Sequence, residues 1–305
     1  MSNIVFLRYE EINLFKWDQC VDKAFNGSIF AYSWYLNIVS NNWCALVKGD
    51  YEAVMPLPVK RLLSVEGLEQ PRFSPELGIF STDLIDDQLV KTFMKAIPGQ
   101  FKFLRIHLNK NNPVNLSSRF IGQRLVYEID LISPYTRFLD DYSVRTKVKI
   151  AKARNNKIYV IKGLMPNEFV DLIKASGNSY TARFTTNDYN KLRILASTAV
   201  KYRLGQVYAA YDQHNSLCAA SLFIWSHRKV TLLFSAVNKD GLRNHALDYI
   251  VNQFIEEHSS HNLTLSLDNE FLKRNKINCA GFGAKPFRHA VLTNRFSFWS
   301  LFQSA

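Results

Sequence analysis

The chain has 305 residues, 47% of them hydrophobic and 13% aromatic, which is enough to build packed cores and excludes a disordered polymer. Its formal charge of +12 lies wholly in one half: residues 1–140 carry 15 Lys and Arg against 15 Asp and Glu, whereas residues 141–305 carry 23 against 11. That asymmetry has two readings, a second half that meets anionic partners such as phosphates, nucleic acid or lipid headgroups, or a basic surface that only keeps the protein soluble.

In chain order, residues 43–61 (WCALVKGDYEAVMPLPVKR) read as two apolar strands around a turn at Gly49-Asp50. After a Pro-punctuated stretch, Leu89, Val90, Phe93 and Ala96 fall at helical spacing, and residues 101–109 (FKFLRIHLN) return to an extended pattern. The second half repeats that order. Residues 205–212 and 217–226 flank the turn QHNS, KVTLLFSAV follows beyond His227-Arg228, and a helix is predicted from Asn244 to Glu257. LTLSLDN closes the unit, with Leu263, Leu265 and Leu267 alternating against Thr264 and Ser266. LCAASLFIWS is apolar on both faces, which predicts a central strand. The pattern predicts an α/β (α+β) protein of two domains, 1–140 and 141–305, each a mixed, mostly antiparallel sheet flanked by helices.

Between the two passes lies SVRTKVKIAKARNNKIYV, residues 143–160, with six basic residues and no carboxylate. With Ser143 as the cap of a helix, Val144, Val148 and Ala151 line one face, and Arg145, Lys149 and Lys152 the adjoining one. KIYVIKG then reads as the first strand of the second domain. The stretch is thus expected to be a basic linking helix, its charged stripe either a solvated face or a ridge for phosphate.

The usual catalytic signatures are absent. No GxxxxGK[ST], GxGxxG, GxSxG or HExxH occurs, which speaks against P-loop, dinucleotide, serine-hydrolase and zinc-protease chemistry. His258 and His261 form HSSH at a predicted helix end, read as a surface pair and not as a metal site. Cys20, Cys44, Cys218 and Cys279 lie far apart in no ligand spacing and are expected to be reduced core residues. Arg8, Glu10 and Glu11 break the N-terminal apolar run, and no stretch nears ~18 uninterrupted apolar residues. The expectation is a soluble cytoplasmic protein.

Hairpin, third strand, helix and further strand is the order that the GNAT acyltransferase superfamily uses. SIFAYSWYLNIVS resembles the entry segment of the Fem-type peptidyltransferases, which are tandem GNAT folds, and DYEAVMPLPVKR resembles their second and third N-domain strands. The basic helix is similar to their "R-x-x-I-x-K-A" helix through Arg145, Ile150, Lys152 and Ala153, LSLDN to the strand before their Phe-Glu-Gly-Ser loop, and GFGAKPFRHAVLTNR to the tail around "F-G-A-x-P". The likeness spans nearly the whole chain.

What the resemblance implies is acyl transfer to an amine, which demands positioning, a base for the amine proton and donors aimed at the developing oxyanion. Ser235 and Val237 then correspond to the strand end that serves the acyl carbonyl, and Gly241, Arg243, Asn244 and His245 to the turn and helix start that hold a donor phosphate. Only one glycine stands there, where the CoA pattern uses several to let backbone approach phosphate. Asp268 and Glu270 follow the strand LTLSL as candidate catalytic carboxylates or as plain turn residues. Trp34, Tyr35, Phe73 and Tyr180, with Arg145 and Lys149, are the candidate substrate-binding residues, the aromatics serving either a groove or the core. Residues 181–188 (TARFTTND) read as a substrate loop between two helices or as a connector.

The expected donor is acyl-CoA, since the chain lacks the long helical-hairpin insertion of many tRNA-using Fem proteins. The alternatives are an aminoacyl-tRNA donor, with a cell-wall precursor or lipid amine as acceptor, and a GNAT-fold protein that has lost catalysis and binds a partner. No metal is expected.

Overall fold

The computed structural model describes residues 3–40, 42–114, 121–177, 181–267 and 277–294. The chain divides into two units, one of Met1–Leu125 with Arg288–Ala305 and one of Val126–Phe287. The elements run β1 (Ile4–Leu7), α1 (Leu14–Lys23), α2 (Ser33–Val39), β2 (Trp43–Lys48), β3 (Ala53–Leu62), β4 (Val65–Glu69), β5 (Phe80–Ser81), α3 (Asp87–Ala96) and β6 (Leu104–His107). Then come β7 (Ile121–Asp130), α4 (Tyr135–Asp141), α5 (Val144–Asn155), β8 (Tyr159–Lys162), α6 (Pro166–Ala175), α7 (Thr186–Lys201) and β9 (Gly205–Tyr211). β10 (Leu217–Ser226), β11 (Lys229–Val237), α8 (Lys239–Arg243), α9 (Ala246–His258), β12 (Thr264–Ser266) and β13 (Lys285–Asn294) complete the chain.

In the first unit β1, β2, β3 and β4 pair antiparallel in chain order, and β4 then pairs parallel with β6 across the α3 crossover. The end of β13 joins β6 antiparallel, with Val291 opposite His107. The Asp86 carboxylate starts α3 by accepting the Leu89 N–H at 2.7 Å, a cap that contributes about 1 kcal/mol. Trp17 and Trp43, with ring centroids 5.0 Å apart, are buried in this unit's core, and each indole N–H has a partner, the Ala31 carbonyl and Asn37 Oδ1 respectively.

The second unit repeats the order. β8, β9, β10 and β11 pair antiparallel, β11 pairs parallel with β12 across the α9 crossover, and β12 pairs antiparallel with Glu128–Asp130 of β7. β10 is central and buried on both faces, as its unbroken apolar run predicts. Behind it Phe223 stacks on Phe254 of α9, ring centroids 4.1 Å apart. Each crossover is parallel because a helix lies between its two strands, and the hairpins are antiparallel because their turns are short.

Two boundaries differ from the sequence reading for a visible reason. The helix expected from Asn244 begins at Ala246, because His245 takes a left-handed backbone (φ 57°, ψ 36°) that separates α8 from α9. Residues 181–188 hold a 3-10 turn, and then Thr185 and Asp188 form a reciprocal cap on α7, so half of that polar stretch is helix start. All four cysteines are buried and unbridged, as expected, and burial pushes the Cys20 thiol up to about 11.

Candidate functional site

The basic helix α5 is where the second unit concentrates positive charge. Ser143 caps it as its position predicts, its hydroxyl accepting the Thr146 N–H at 3.2 Å. Its buried face is Thr146, Ile150 and Ala153, whereas Val144 and Val148 point outward at 79% and 62% exposure. The apolar face that the spacing suggests is therefore the solvent face. The reason is packing: a Cβ on Gly281 would lie 2.5 Å from the Thr146 hydroxyl oxygen, so close approach to this helix selects its small polar side.

Of the predicted phosphate ligands on α5, Lys149 is already engaged. Its Nζ lies 2.9 Å from Asp248 Oδ1, with side-chain exposures of only 12% and 7%. Burial raises the Asp248 carboxyl above the ordinary carboxylate range, and the Lys149 ammonium opposes that rise. Asp248 stands in the first turn of α9, where the helix dipole favours an anion, so this helix start carries its own negative charge. His245 Nδ1 is 3.8 Å from the other Asp248 oxygen. Burial lowers the His245 pKa; Asp248 pulls it up, while Lys149, Lys152 and Arg145 press it further down. A neutral, partly exposed imidazole can accept a proton or a hydrogen bond, and Arg145 and Lys152 stand exposed on the helix beside it.

The strand end and turn read as acyl- and phosphate-binding prove mostly structural in their side chains. Ser235 is fully buried, its hydroxyl 2.9 Å from that of Ser221, and Val237 is 3% exposed. Only their backbone is left to serve a ligand. Among the described residues β12 runs beside Lys229–Thr231 alone and does not extend along Ser235–Val237. A bulge at Leu233, between the pairs Leu222–Phe234 and Phe223–Leu232, bends β11 just before that point. The Gly241 N–H donates to Asn238 Oδ1 at 2.8 Å, and a Cβ on Gly241 would lie 2.4 Å from the Cys218 carbonyl oxygen. This glycine serves helix-to-strand packing. Arg243 reaches Asp240 at 3.4 Å while remaining 77% exposed, and Asn244 Oδ1 accepts from Asn156 Nδ2 at 2.8 Å.

In the first unit Tyr35 is buried, its hydroxyl donating to the Phe73 carbonyl at 2.6 Å, and the Trp34 ring meets it edge-on. Phe73 is buried as well and takes a left-handed backbone (φ 70°). Asp268, Glu270 and Tyr180 lie outside the described residues. The sequence reading missed a polar cluster in this unit: His289 Nδ1 is 3.5 Å from Glu76 Oε2, both buried, and the Arg124 guanidinium donates to His107 Nδ1 and to the Pro75 carbonyl. Burial and then Arg124 hold His107 neutral, its pKa pushed down to about 3. The signal was a histidine within each of two strands, β6 and β13, that pair with one another. No cluster of three metal-ligating side chains occurs among the described residues.

No family model matches the sequence, and no curated protein matches it either. Among solved structures, FemX superposes over 98% of this chain and 99% of its own with a TM-score of 0.61 at 12% identity. The C-terminal domain of a putative lysylphosphatidylglycerol synthetase from Agrobacterium fabrum covers 95% of this chain and 94% of its own, TM-score 0.54, 10% identical. L-PGS from Bacillus licheniformis covers 93% and 91%, TM-score 0.51, 9% identical. At such identities the likeness is one of fold. The chain has a GNAT-like, Fem-type fold. No helix among the described residues is long and apolar enough to cross a membrane.

Proposed function

We propose that this protein transfers an aminoacyl group from an aminoacyl-tRNA to an amine, acting with two GNAT-like domains of which the C-terminal one binds the donor. One observation carries the choice of donor: Asp248 already places a carboxylate in the first turn of α9, and Asn238 takes the Gly241 N–H, so a CoA pyrophosphate would meet a like charge and one spent donor there. What remains for an anion is side-chain charge on α5, from the exposed Arg145 and Lys152, which suits a polyanionic backbone spread over a surface. In the reaction the acceptor amine attacks the ester carbonyl, the C–N bond forms, and the C–O bond to the tRNA hydroxyl breaks. The amine gives up its proton to a base, and the departing hydroxyl takes one. The bulged end of β11 is suited to present backbone donors to the carbonyl oxygen. Asp268, Glu270 and His245 are the candidate bases.

The experiment is a transfer assay with radiolabelled aminoacyl-tRNA and, in parallel, labelled acyl-CoA, each against a panel of peptide, small-molecule and lipid amines. Label passing from charged tRNA supports the proposal. Label passing only from acyl-CoA overturns it in favour of a CoA donor held by the exposed Arg243 and by His245, the second reading that those side chains keep in play. Binding of a donor without transfer of label points to a GNAT-fold binding protein.

A further inference from the structure

The flank of α5 opposite Arg145 and Lys152 borders a separate pocket of about 340 Å3, in the size range of small-molecule sites. Its walls are Tyr135, Leu139, Tyr142, Ile150 and Ala151, contributed by α4, α5 and the residue between them. Two cations border it, Lys147 and Arg154, and no carboxylate lines it. Arg154 makes no ion pair among the described residues, and Lys147 Nζ reaches only the Asp140 carbonyl, at 3.5 Å. Next to Ala151 the exposed Val148 and Val144 continue the apolar surface along the helix.

A second observation points to a ligand. Tyr142 is 3% exposed, yet its hydroxyl has no hydrogen-bond partner, although Tyr135 on the same wall donates to Asn252 Oδ1 at 2.8 Å. A buried, unpaired hydroxyl is costly, so a pocket wall that carries one is suited to a guest that brings an acceptor.

We propose that this pocket binds an amphiphilic anion, an apolar chain bearing one carboxylate or phosphate head. Lys147 and Arg154 take the charge, the apolar walls take the chain, and the Tyr142 hydroxyl donates to an oxygen of the guest. A free fatty acid and an anionic phospholipid at a bilayer surface share this chemistry. The inference does not depend on the donor proposed above, because it uses neither Arg145, Lys152 nor His245.

The test uses the full chain, with decanoate and decanol as soluble probes followed by calorimetry. Vesicles of phosphatidylcholine with and without phosphatidylglycerol are followed by sedimentation. Decanoate is expected to bind at least about tenfold more tightly than decanol, since only its carboxylate can pair with Lys147 and Arg154. K147E/R154E should remove that preference, A151W should block binding by filling the pocket, and Y142F should weaken it; of the four positions only Tyr142 is buried, and circular dichroism checks the fold of each variant. Sedimentation with phosphatidylglycerol vesicles alone identifies the bilayer as the source, and decanoate binding without sedimentation identifies a free acid. Equal affinity for decanoate and decanol, or decanoate binding unmoved by K147E/R154E and A151W, overturns the proposal.

Discussion

Lys149 and Asp248 form a nearly enclosed ion pair at the start of α9, 2.9 Å between Nζ and Oδ1. Breaking such a pair from one side leaves a buried charge without compensation, which costs about 3–5 kcal/mol. Lys149→Met is expected to lose stability on that scale at neutral pH. The sign of its pH dependence follows from Asp248, whose folded pKa is raised by burial. The contribution of a raised carboxyl is complete below the unfolded value of about 3.9 and is lost as the pH rises through the folded value. Removing Lys149 takes away the largest influence opposing that rise, so much of the variant's deficit should disappear on acidification. Urea denaturation at neutral and mildly acidic pH measures this, and an equal deficit at both would contradict it.

Gly241 distinguishes packing from ligand binding. With a Cβ placed 2.4 Å from the Cys218 carbonyl oxygen, Gly241→Ala must push α8 away from β10, at a cost of about 1–3 kcal/mol. Thermal denaturation should show that loss in the absence of any donor. An unchanged melting temperature together with weakened donor binding would return this glycine to a phosphate cradle.

His258 sets an acid limit. Its ring lies against Phe254, centroids 4.3 Å apart, and its pKa is pushed down to about 4 by burial first and then by Lys162 and His261. A lowered histidine contributes stability that is complete above its unfolded value, about 6.5, and is lost as the pH falls through the folded one. His258→Phe should therefore flatten the fall in stability between pH 6.5 and 4, with His107 sustaining some slope. An identical profile for the variant would exclude His258 as a cause.

The turn joining β10 to β11 offers a stabilising substitution. Ser226 pairs with Lys229, so His227 and Arg228 form a two-residue hairpin loop, with φ of 51° and 56°. Left-handed backbone costs a side-chain-bearing residue about 1–2 kcal/mol, part of which glycine's greater freedom in the unfolded chain takes back. Arg228→Gly is expected to raise stability by about 0.5–1 kcal/mol, read from the urea midpoint; a lowered midpoint would show that the arginine side chain holds the turn.

The fold was legible because its signals are periodic. Two-residue alternation, turn residues between strands and helical spacing in residues 87–97 and 244–257 are written into local sequence, as is the cap at Ser143. What stayed hidden depends on contacts between distant residues. Nothing around Lys149 announces that its partner is Asp248, 99 positions further on, so a free phosphate ligand and a buried ion pair read alike. The outward turn of Val144 and Val148 was hidden for the same reason, since the close approach of Gly281 decides which face of α5 is buried. Glu76 and His289 lie still further apart in sequence, and their adjacency follows from the pairing of β13 with β6.

The central claim, that α5 meets a polyanionic donor through exposed cations while the start of α9 already holds the Asp248 carboxylate, is tested most directly by the salt dependence of tRNA binding. The logarithm of the binding constant should fall linearly with the logarithm of salt concentration, and Arg145→Gln/Lys152→Gln should make that slope shallower by about 1.5–2, the release expected for two lost phosphate contacts. Binding that ignores salt, or a slope that the two substitutions leave unchanged, would contradict the account.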